Sequence, residues 1–215
     1  MNLIFLGPPG AGKGTLAGKV VELLQIPQIS TGNIFRAAMA SGSELGNKVK
    51  AIVESGKLVD DDTTIALVKE RLTQADVAKG YILDGFPRTI PQAEALEKWT
   101  IEVGNPISHV INFDISDDKV LQRLGGRLVC KKCGYNWHKT FNPPSKAGVC
   151  DKCGGEVYTR PDDSEESIKK RLEVYRNQTE PLIGFYRGKG LLVDIDANPE
   201  VDQMFVNFKE ALNLL

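Results

Sequence analysis

The sequence predicts an α/β fold, in which a five-stranded parallel sheet is flanked by helices on both faces. Three observations lead to this prediction. A short apolar run at residues 1–6 ends in a glycine-rich turn, and a helical pattern follows at 15–24. Four more apolar runs alternate with helical patterns, which is typical of parallel strands joined by crossover helices. A cysteine-rich segment at 127–163 interrupts this alternation and is predicted to form a small inserted β-ribbon.

The first strand and helix form the start of a βαβ unit. Residues 1–6 are apolar, which is typical of a buried strand. Leu16 and Val20 recur at helical spacing, so they belong to the buried face of the helix at 15–24. A second short strand is expected at 26–30.

Capping residues mark several of the later elements. Helices are predicted at 31–40 and 44–55, and the acidic N-cap sequence at 60–63 begins another. The remaining predicted elements are strands at 81–83, 109–115 and 191–195 and helices at 91–99, 117–124, 164–186 and 201–212. The helix at 164–186 is predicted to be continuous and to begin with a capping signal at Ser164.

Composition and charge limit the classes of function. The chain has 215 residues, of which 41% are hydrophobic and 26% charged, as expected of one soluble globular domain with insertions. A net charge of −1 gives no non-specific attraction to nucleic acid or to anionic membranes. Since no apolar run approaches the roughly 20 residues that span a bilayer, we expect a cytoplasmic protein without a membrane partner.

Residues 7–15, GPPGAGKGT, fit the phosphate-loop pattern G-x-x-x-x-G-K. Such a loop directs backbone N–H groups at phosphate oxygens, and the following helix adds its positive N-terminus. Lys13 can reach the terminal phosphates as a mobile charge. The hydroxyl that usually follows the lysine comes one residue late, because Gly14 precedes Thr15, so we expect an altered hydroxyl–Mg²⁺ contact.

Asp84 lies just beyond the predicted strand at 81–83. Ligands of open α/β sheets bind at the carboxyl ends of the strands. We therefore expect Asp84 to orient Mg²⁺, directly or through water, with a turn cap as its alternative role.

Arginines are the next candidate phosphate ligands, because guanidinium groups bind phosphate oxygens bidentately. The candidates are Arg36, Arg88, Arg123, Arg127, Arg160 and Arg171. Phosphoryl transfer needs charge neutralisation and alignment of two substrates rather than covalent help from the protein. No Ser-His-Asp triad is suggested, because His109 and His138 fall in a strand and in the cysteine-rich segment.

All four cysteines lie in the cysteine-rich segment, as Cys130-x₂-Cys133 and Cys150-x₂-Cys153. This spacing is the signature of a zinc site, and four thiolates leave no open position for a substrate. We expect structural Zn²⁺, with disulfides or an iron–sulfur site as alternatives. The segment is too short to have its own core, so a metal would provide folding energy.

Together these motifs resemble adenylate kinases of the long-lid, zinc-bearing bacterial type. The resemblance covers essentially the whole chain. Besides the motifs above, it is carried by ISTG (29–32), GKLV (56–59), DGFPR (84–88), GR (126–127), FNPP (141–144), TRPDD (159–163) and KRLEVY (170–175). It implies a P-loop NTPase fold with a core at 1–29, 60–126 and 164–215, an inserted helical AMP-binding segment at 30–59 and a zinc-binding β lid at 127–163.

The resemblance implies reversible phosphoryl transfer from Mg·ATP to AMP, giving two ADP, in a monomer. For ATP it implies Gly10, Ala11, Gly12, Lys13, Gly14, Thr15, Arg127, Asn136, Trp137 and Pro199. For AMP it implies Thr31, Arg36, Lys57, Leu58, Val59, Gly85, Phe86, Pro87, Arg88, Gln92, Arg160 and Arg171. For the transfer itself it implies Lys13, Asp84, Arg88, Arg123, Arg127, Arg160 and Arg171.

Four positions depart from the pattern of this family. Leu16 stands where glutamine is usual, Asn33 where aspartate is usual, Leu128 where a further arginine is common, and Trp137 where tyrosine is common. None of them removes a group expected to take part in the chemistry.

Three other functions remain open. Within the enzyme class, the alternative is a kinase of another nucleoside monophosphate, such as UMP or CMP, or a kinase that uses GTP as donor. An ATPase that binds nucleic acid through its zinc ribbon is disfavoured, because acidic residues offset the lysines of the ribbon. A catalytically silent nucleotide-binding regulator is disfavoured by the intact Lys13 and arginines.

Overall fold

A computed structural model of the chain describes residues 1–214. The strands are β1 (Asn2–Leu6), β2 (Gln28–Ser30), β3 (Tyr81–Asp84), β4 (His109–Asp114), β5 (Arg127–Cys130), β6 (Asn136–His138), β7 (Val157–Tyr158) and β8 (Leu192–Asp196). The helices are α1 (Lys13–Leu24), α2 (Thr31–Ser41), α3 (Glu44–Glu54), α4 (Asp61–Leu72), α5 (Ile90–Glu102), α6 (Asp117–Gly125), α7 (Glu165–Val174), α8 (Pro181–Gly188) and α9 (Val201–Ala211).

The central sheet has the five predicted strands in the order β2-β3-β1-β4-β8, and all neighbouring pairs are parallel. Both faces of β1 are covered. Leu3 and Phe5 pack in the cluster that includes α1 and α9, whereas Ile4 and Leu6 pack in the cluster that includes α4, α5 and α8. A strand that is buried on both faces needs apolar residues at successive positions, which explains the continuous apolar run in the sequence of β1.

The helices α2 and α3 pack on each other. Their buried cluster is Phe35, Val49 and Val59. The two helices approach closely at Gly46, where an added Cβ would lie 2.1 Å from the carbonyl oxygen of Ala38. A larger residue at this position would force the helices apart.

The cysteine-rich segment forms a three-stranded antiparallel sheet in the order β6-β5-β7, as the predicted β-ribbon requires. Its buried cluster consists of Cys130, Trp137, Cys150 and Val157. So few buried side chains give little apolar stabilisation, since burying one large apolar side chain is worth about 1.5–3 kcal/mol.

The prediction of one continuous helix at 164–186 is wrong in its centre. The helix is α7 up to Val174, then a π-turn at Tyr175–Thr179, then α8 from Pro181. Proline has no N–H to donate, and its ring clashes with the carbonyl four residues earlier, so the turn before it widens. In the widened turn the N–H of Glu180 donates to Tyr175 five residues back, at 2.9 Å.

Other boundaries differ from the predictions by one to three residues. The helix α1 begins at Lys13, and α5 begins at Ile90 because the Thr89 side chain caps it by accepting from the N–H of Gln92. Short 3₁₀ turns at Ala75–Val77 and Pro161–Asp163 were not predicted. Throughout residues 1–214, each helix is too short or too polar to cross a lipid bilayer.

Candidate functional site

The phosphate loop lies between β1 and α1 at the carboxyl end of the sheet. Gly10 and Gly12 have φ angles of 85° and 90°, in the left-handed region that favours glycine. Gly12 is the N-cap of α1 and has no side chain to occupy the first N–H groups of the helix, so these can serve an anion. Lys13 Nζ donates to the carbonyl oxygens of Gly7 at 2.7 Å and Pro8 at 2.8 Å.

Asp84 ends β3 beside this loop, in register with Phe5 of β1. Its Oδ2 atom accepts from Gln28 Nε2 at 2.9 Å. A Cβ added at Gly14 would lie 3.6 Å from Asp84 Oδ2, so glycine at this position keeps the space between carboxylate and loop open. An oxygen ligand beside the phosphates is the kind of group that Mg²⁺ prefers.

Two of the predicted arginines meet on one carboxylate. Arg127 from β5 forms a two-point contact with Asp163, and its Nε donates at 2.7 Å. Arg171 Nη1 from α7 donates to Asp163 Oδ1 at 2.9 Å. The Asp163 side chain is completely buried, so this carboxylate joins the inserted β-sheet to α7.

Positive charge dominates the space between the phosphate loop and these arginines. Burial lowers the pKa of Lys13 to about 8; Asp84 opposes this shift, and Arg88, Arg171 and Arg127 add to it. Burial and the neighbouring arginines likewise lower the pKa of Arg88 to about 10 and of Arg160 to about 9. The Nε of Arg160 is buried with no hydrogen-bond partner among the described residues. A cluster with more cations than carboxylates is suited to a polyanion.

A second cleft opens on the other side of this cluster. Most of the residues predicted to hold AMP line it, namely Thr31, Arg36, Lys57, Leu58, Val59, Gly85, Arg88, Gln92 and Arg171. Phe86 and Pro87 are buried beneath the turn instead, and Arg160 lies among the cations. Phe35, Val53 and Thr64 also line the cleft, and they were not named from the sequence.

Hydrogen bonds fix the polar groups around the turn at Gly85. The hydroxyl of Thr31 and the Nε of Arg88 both donate to the carbonyl oxygen of Gly85, at 2.8 Å each. Thr179, in the π-turn, donates to the carbonyl oxygen of Arg88 at 2.8 Å. Arg88 is therefore anchored at two points, the Nε of its guanidinium group and its own carbonyl oxygen.

The segment that follows α3 also touches α7. Ser167 Oγ donates to the carbonyl oxygen of Glu54 at 3.1 Å. Gly56 has a φ angle of 76°, and a Cβ there would lie 2.9 Å from Arg171 Cγ. The helix that carries Arg171 is thus in direct contact with residues 54–56.

Arg123 lies apart from the arginine cluster. Its two Nη atoms donate to the carbonyl oxygens of Ala197, Asn198 and Pro199 at 2.9, 3.2 and 2.7 Å. Arg123 therefore holds the loop that contains Pro199, which the resemblance implied for ATP.

The lid residues Asn136 and Trp137 point in different directions. Asn136 lies beside the phosphate loop, since a Cβ added at Gly14 would be 3.9 Å from its Nδ2. The Trp137 side chain is 7% exposed and packs against Tyr135, with ring centroids 4.8 Å apart. Its indole belongs to the lid interior, so contact of Trp137 with nucleotide would use its backbone.

The four cysteine Sγ atoms all lie within 4.8 Å of one another. Cys130 and Cys153 Sγ are 3.5 Å apart, and Cys133 and Cys150 Sγ are 3.7 Å apart. These separations exceed the roughly 2.05 Å of a disulfide. They fit a tetrahedral site, in which Zn–S bonds of about 2.3 Å place the sulfurs roughly 3.8 Å apart.

Comparison with known proteins decides the family. The family model for adenylate kinase matches residues 5–191. The chain belongs to the adenylate kinase family. It is 58% identical to an adenylate kinase of Treponema denticola over 97% of this chain and 98% of that one. It is 50% identical to the adenylate kinases of Methanosarcina barkeri and Bacillus licheniformis, each over 99% of this chain and 98% of the relative.

The four departures from the usual pattern of this family have packing or positioning roles. Leu16 is fully buried in the core beneath the phosphate loop, and Leu128 packs against the lid cluster with Trp137. Asn33 Oδ1 accepts from Arg36 Nη2 at 2.7 Å, so the amide orients this arginine although it carries no charge.

Three aspartates complete the site and were given no role in it from the sequence. Asp162 and Asp163 contact the arginines, yet they were named from the sequence only within the TRPDD motif and as acids that offset the lysines of the ribbon. Their position between two arginine-bearing segments was the available signal. Asp61 contacts Gln92, which lies 31 residues away, and nothing local indicates this pair.

Proposed function

We propose that the protein reversibly transfers the terminal phosphoryl group of Mg·ATP to AMP, giving two ADP. The observation that carries this proposal is a cluster of cationic side chains, in excess over carboxylates, between a phosphate loop and a second cleft. Two phosphate-bearing substrates placed end to end would bring their charges together at this cluster. The family of the chain supports the same reaction.

On the ATP side, the N–H groups of residues 10–15 bind the phosphates, and Lys13 Nζ leaves its two carbonyl partners for a phosphate oxygen. Asn136 approaches from the lid, and Arg123 holds the loop at Pro199 against the base. Asp84 would hold Mg²⁺, directly or through water. When bound, Mg²⁺ neutralises charge on the phosphate oxygens of the donor.

On the AMP side, Arg88 and Arg36 bind the phosphate, while Thr31 and Gln92 face the base. The AMP phosphate is a dianion at neutral pH, since such groups have a second pKa near 6. Its oxygen can therefore attack without a general base.

The transfer needs alignment and charge stabilisation. An AMP oxygen forms a bond to the γ-phosphorus of ATP, and the bond from that phosphorus to the β–γ bridging oxygen breaks, so ADP leaves. Arg127, Arg160 and Arg171 stabilise the charge on the transferring group. Closure of the lid at 127–163 and of the segment at 30–59 over the core excludes water, which would otherwise accept the phosphoryl group.

We also propose that the four cysteines hold a structural Zn²⁺ in the lid. The sulfur separations and the small buried cluster support this role. A monomeric state and a cytoplasmic location remain predictions, and sedimentation and cell fractionation would test them.

The activity is tested by mixing the protein with donor and acceptor and measuring diphosphate formation. We expect turnover with ATP, Mg²⁺ and AMP. Turnover should be much lower when UMP or CMP replaces AMP as acceptor, or when GTP replaces ATP as donor. Arg88→Ala should lower turnover by about 10³-fold, because a well-placed arginine contributes ~10³–10⁵ to phosphoryl transfer. Arg187→Ala is the matched control, since this arginine is 60% exposed and pairs with Asp194. Preference for a pyrimidine acceptor, or full activity of Arg88→Ala, would contradict the proposal.

A further inference from the structure

Asp61, at the start of α4, holds the side chain of Gln92 in one orientation. Gln92 Nε2 donates to Asp61 Oδ1 at 2.7 Å, and Gln92 Oε1 accepts from the backbone N–H of Arg88 at 2.8 Å. Gln92 is 1% exposed and lies in the wall of the second cleft, which is proposed to hold AMP. The Asp61 carboxylate is itself held by the hydroxyl of Thr89, which lies 3.1 Å from each of its oxygens.

Both partners of the Gln92 amide have a fixed polarity. A carboxylate oxygen only accepts a hydrogen bond, and a backbone N–H only donates. Turning the amide over would therefore oppose oxygen to oxygen at Asp61 and N–H to N–H at Arg88. Buried unpaired groups are costly, so the observed orientation is the stable one.

The fixed amide leaves one N–H and one oxygen lone pair for a ligand. The free N–H can donate to a ring nitrogen of a base, and the free lone pair can accept from an exocyclic amine beside that nitrogen. A 6-oxopurine has a ring N–H beside a carbonyl oxygen. It would therefore place a donor against the Gln92 N–H and an acceptor against the Gln92 oxygen.

We propose that Asp61 is a positioning residue that sets the specificity of the acceptor cleft for a 6-aminopurine over a 6-oxopurine. It acts by fixing the polarity of the Gln92 amide. The inference rests on the proposed function, because it requires the acceptor base to lie in this cleft.

The test compares AMP with IMP, which differ in hydrogen-bonding polarity at positions 1 and 6 of the purine. Asp61→Asn keeps the shape of the side chain but can offer Gln92 either a donor or an acceptor. We expect the kcat/KM ratio of AMP to IMP to fall by about tenfold, since a site built to pair a polar group rejects the mismatch strongly. The loss should lie in the KM for AMP, with the KM for ATP and the kcat at saturating AMP retained.

Asp62→Asn is the matched control, because Asp62 is the next residue of α4 and is exposed. It should keep the wild-type ratio. Asp61→Ala provides a second route, since it removes the acceptor altogether and should lower the ratio in the same direction. A merely structural role would lower the melting temperature or the kcat without changing the ratio. A ratio unchanged in both Asp61 variants overturns the inference alone, whereas absence of AMP turnover in the wild type overturns the proposed function and the inference together.

Discussion

Lys13 combines a sequence position that is easy to predict with a chemical property that is not. Its place in the loop follows from the motif, but the lowered pKa arises from burial and from arginines contributed by β5, α7 and the turn after β3. At pH values between about 8 and 10.5 the unfolded chain binds more protons at this residue than the folded chain does. The contribution of Lys13 to stability therefore rises with pH across that interval.

We predict that ATP binding at pH 8 is accompanied by uptake of about half a proton, because half of the Lys13 side chains are neutral when pH equals pKa. The phosphates raise the pKa again and restore the charge. Affinity for ATP should accordingly decline as the pH rises above 8. Calorimetry in two buffers of different ionisation enthalpy measures the proton count, and Lys13→Met should abolish the uptake. Equal heats in the two buffers for the wild type would contradict this prediction.

Residues of the site differ in how far the sequence revealed them. The phosphate loop and the cysteines are local patterns, so their spacing predicts their chemistry directly. The partners of the arginines are not local. Asp163 meets Arg127 across 36 residues, and the bond from Arg123 to the Pro199 carbonyl spans 76. Such pairs depend on how the elements pack, which spacing along the sequence does not determine.

Elements were predicted well where apolar periodicity is strong. The five strands of the central sheet and most helices follow from it, because burial on the sheet selects the pattern. The prediction of one continuous helix failed at α7 and α8 because it followed the apolar periodicity and gave no weight to Pro181. The N–H that proline lacks accounts for the π-turn before it. This turn also places Thr179 against Arg88, so the irregularity serves the site.

The lid should depend on its metal for stability. We predict that a strong chelator lowers the melting temperature by more than about 4 °C, since each kcal/mol lost shifts Tm by about 2–4 °C at this chain length. The reason is the small buried cluster of the lid, which otherwise contains only Trp137 and Val157 besides two of the cysteines.

Scanning calorimetry with and without chelator measures the effect. A Cys133→Ser/Cys150→Ser variant serves as the control, because it should melt early and show no further response. Freshly purified protein that contains no zinc and melts normally would refute the metal assignment.

At the scale of the whole molecule, charge is distributed very unevenly. The net charge of the chain is only −1, yet Lys13, Arg88, Arg160 and their neighbours share one enclosed region. The composition could not reveal this region, because acidic residues elsewhere on the chain cancel its positive charge in the net charge. Asp84, Asp162 and Asp163 offset part of the mutual repulsion among these cations, and an anion of high charge would relieve the rest.

We predict that a bisubstrate compound, two adenosines joined by five phosphates, binds once per chain and raises Tm more than ATP or AMP alone. It would fill the phosphate loop and the second cleft together. At 1,000 times its Kd a ligand stabilises the native state by about 4.1 kcal/mol. Titration calorimetry gives the stoichiometry, and competition of ATP with AMP for a single position would argue against two sites.

The hydrogen bond from Ser167 to Glu54 and the packing of Gly56 on Arg171 join α7 to residues 54–56. The helix that carries Arg171 and the segment that lines the second cleft therefore support each other. If a nucleotide in one site stabilises this contact and so raises the affinity of the other site, thermodynamic reciprocity makes the benefit equal in both directions. We predict positive cooperativity between the two substrates on this ground, and titration of each nucleotide in the presence of the other would measure it.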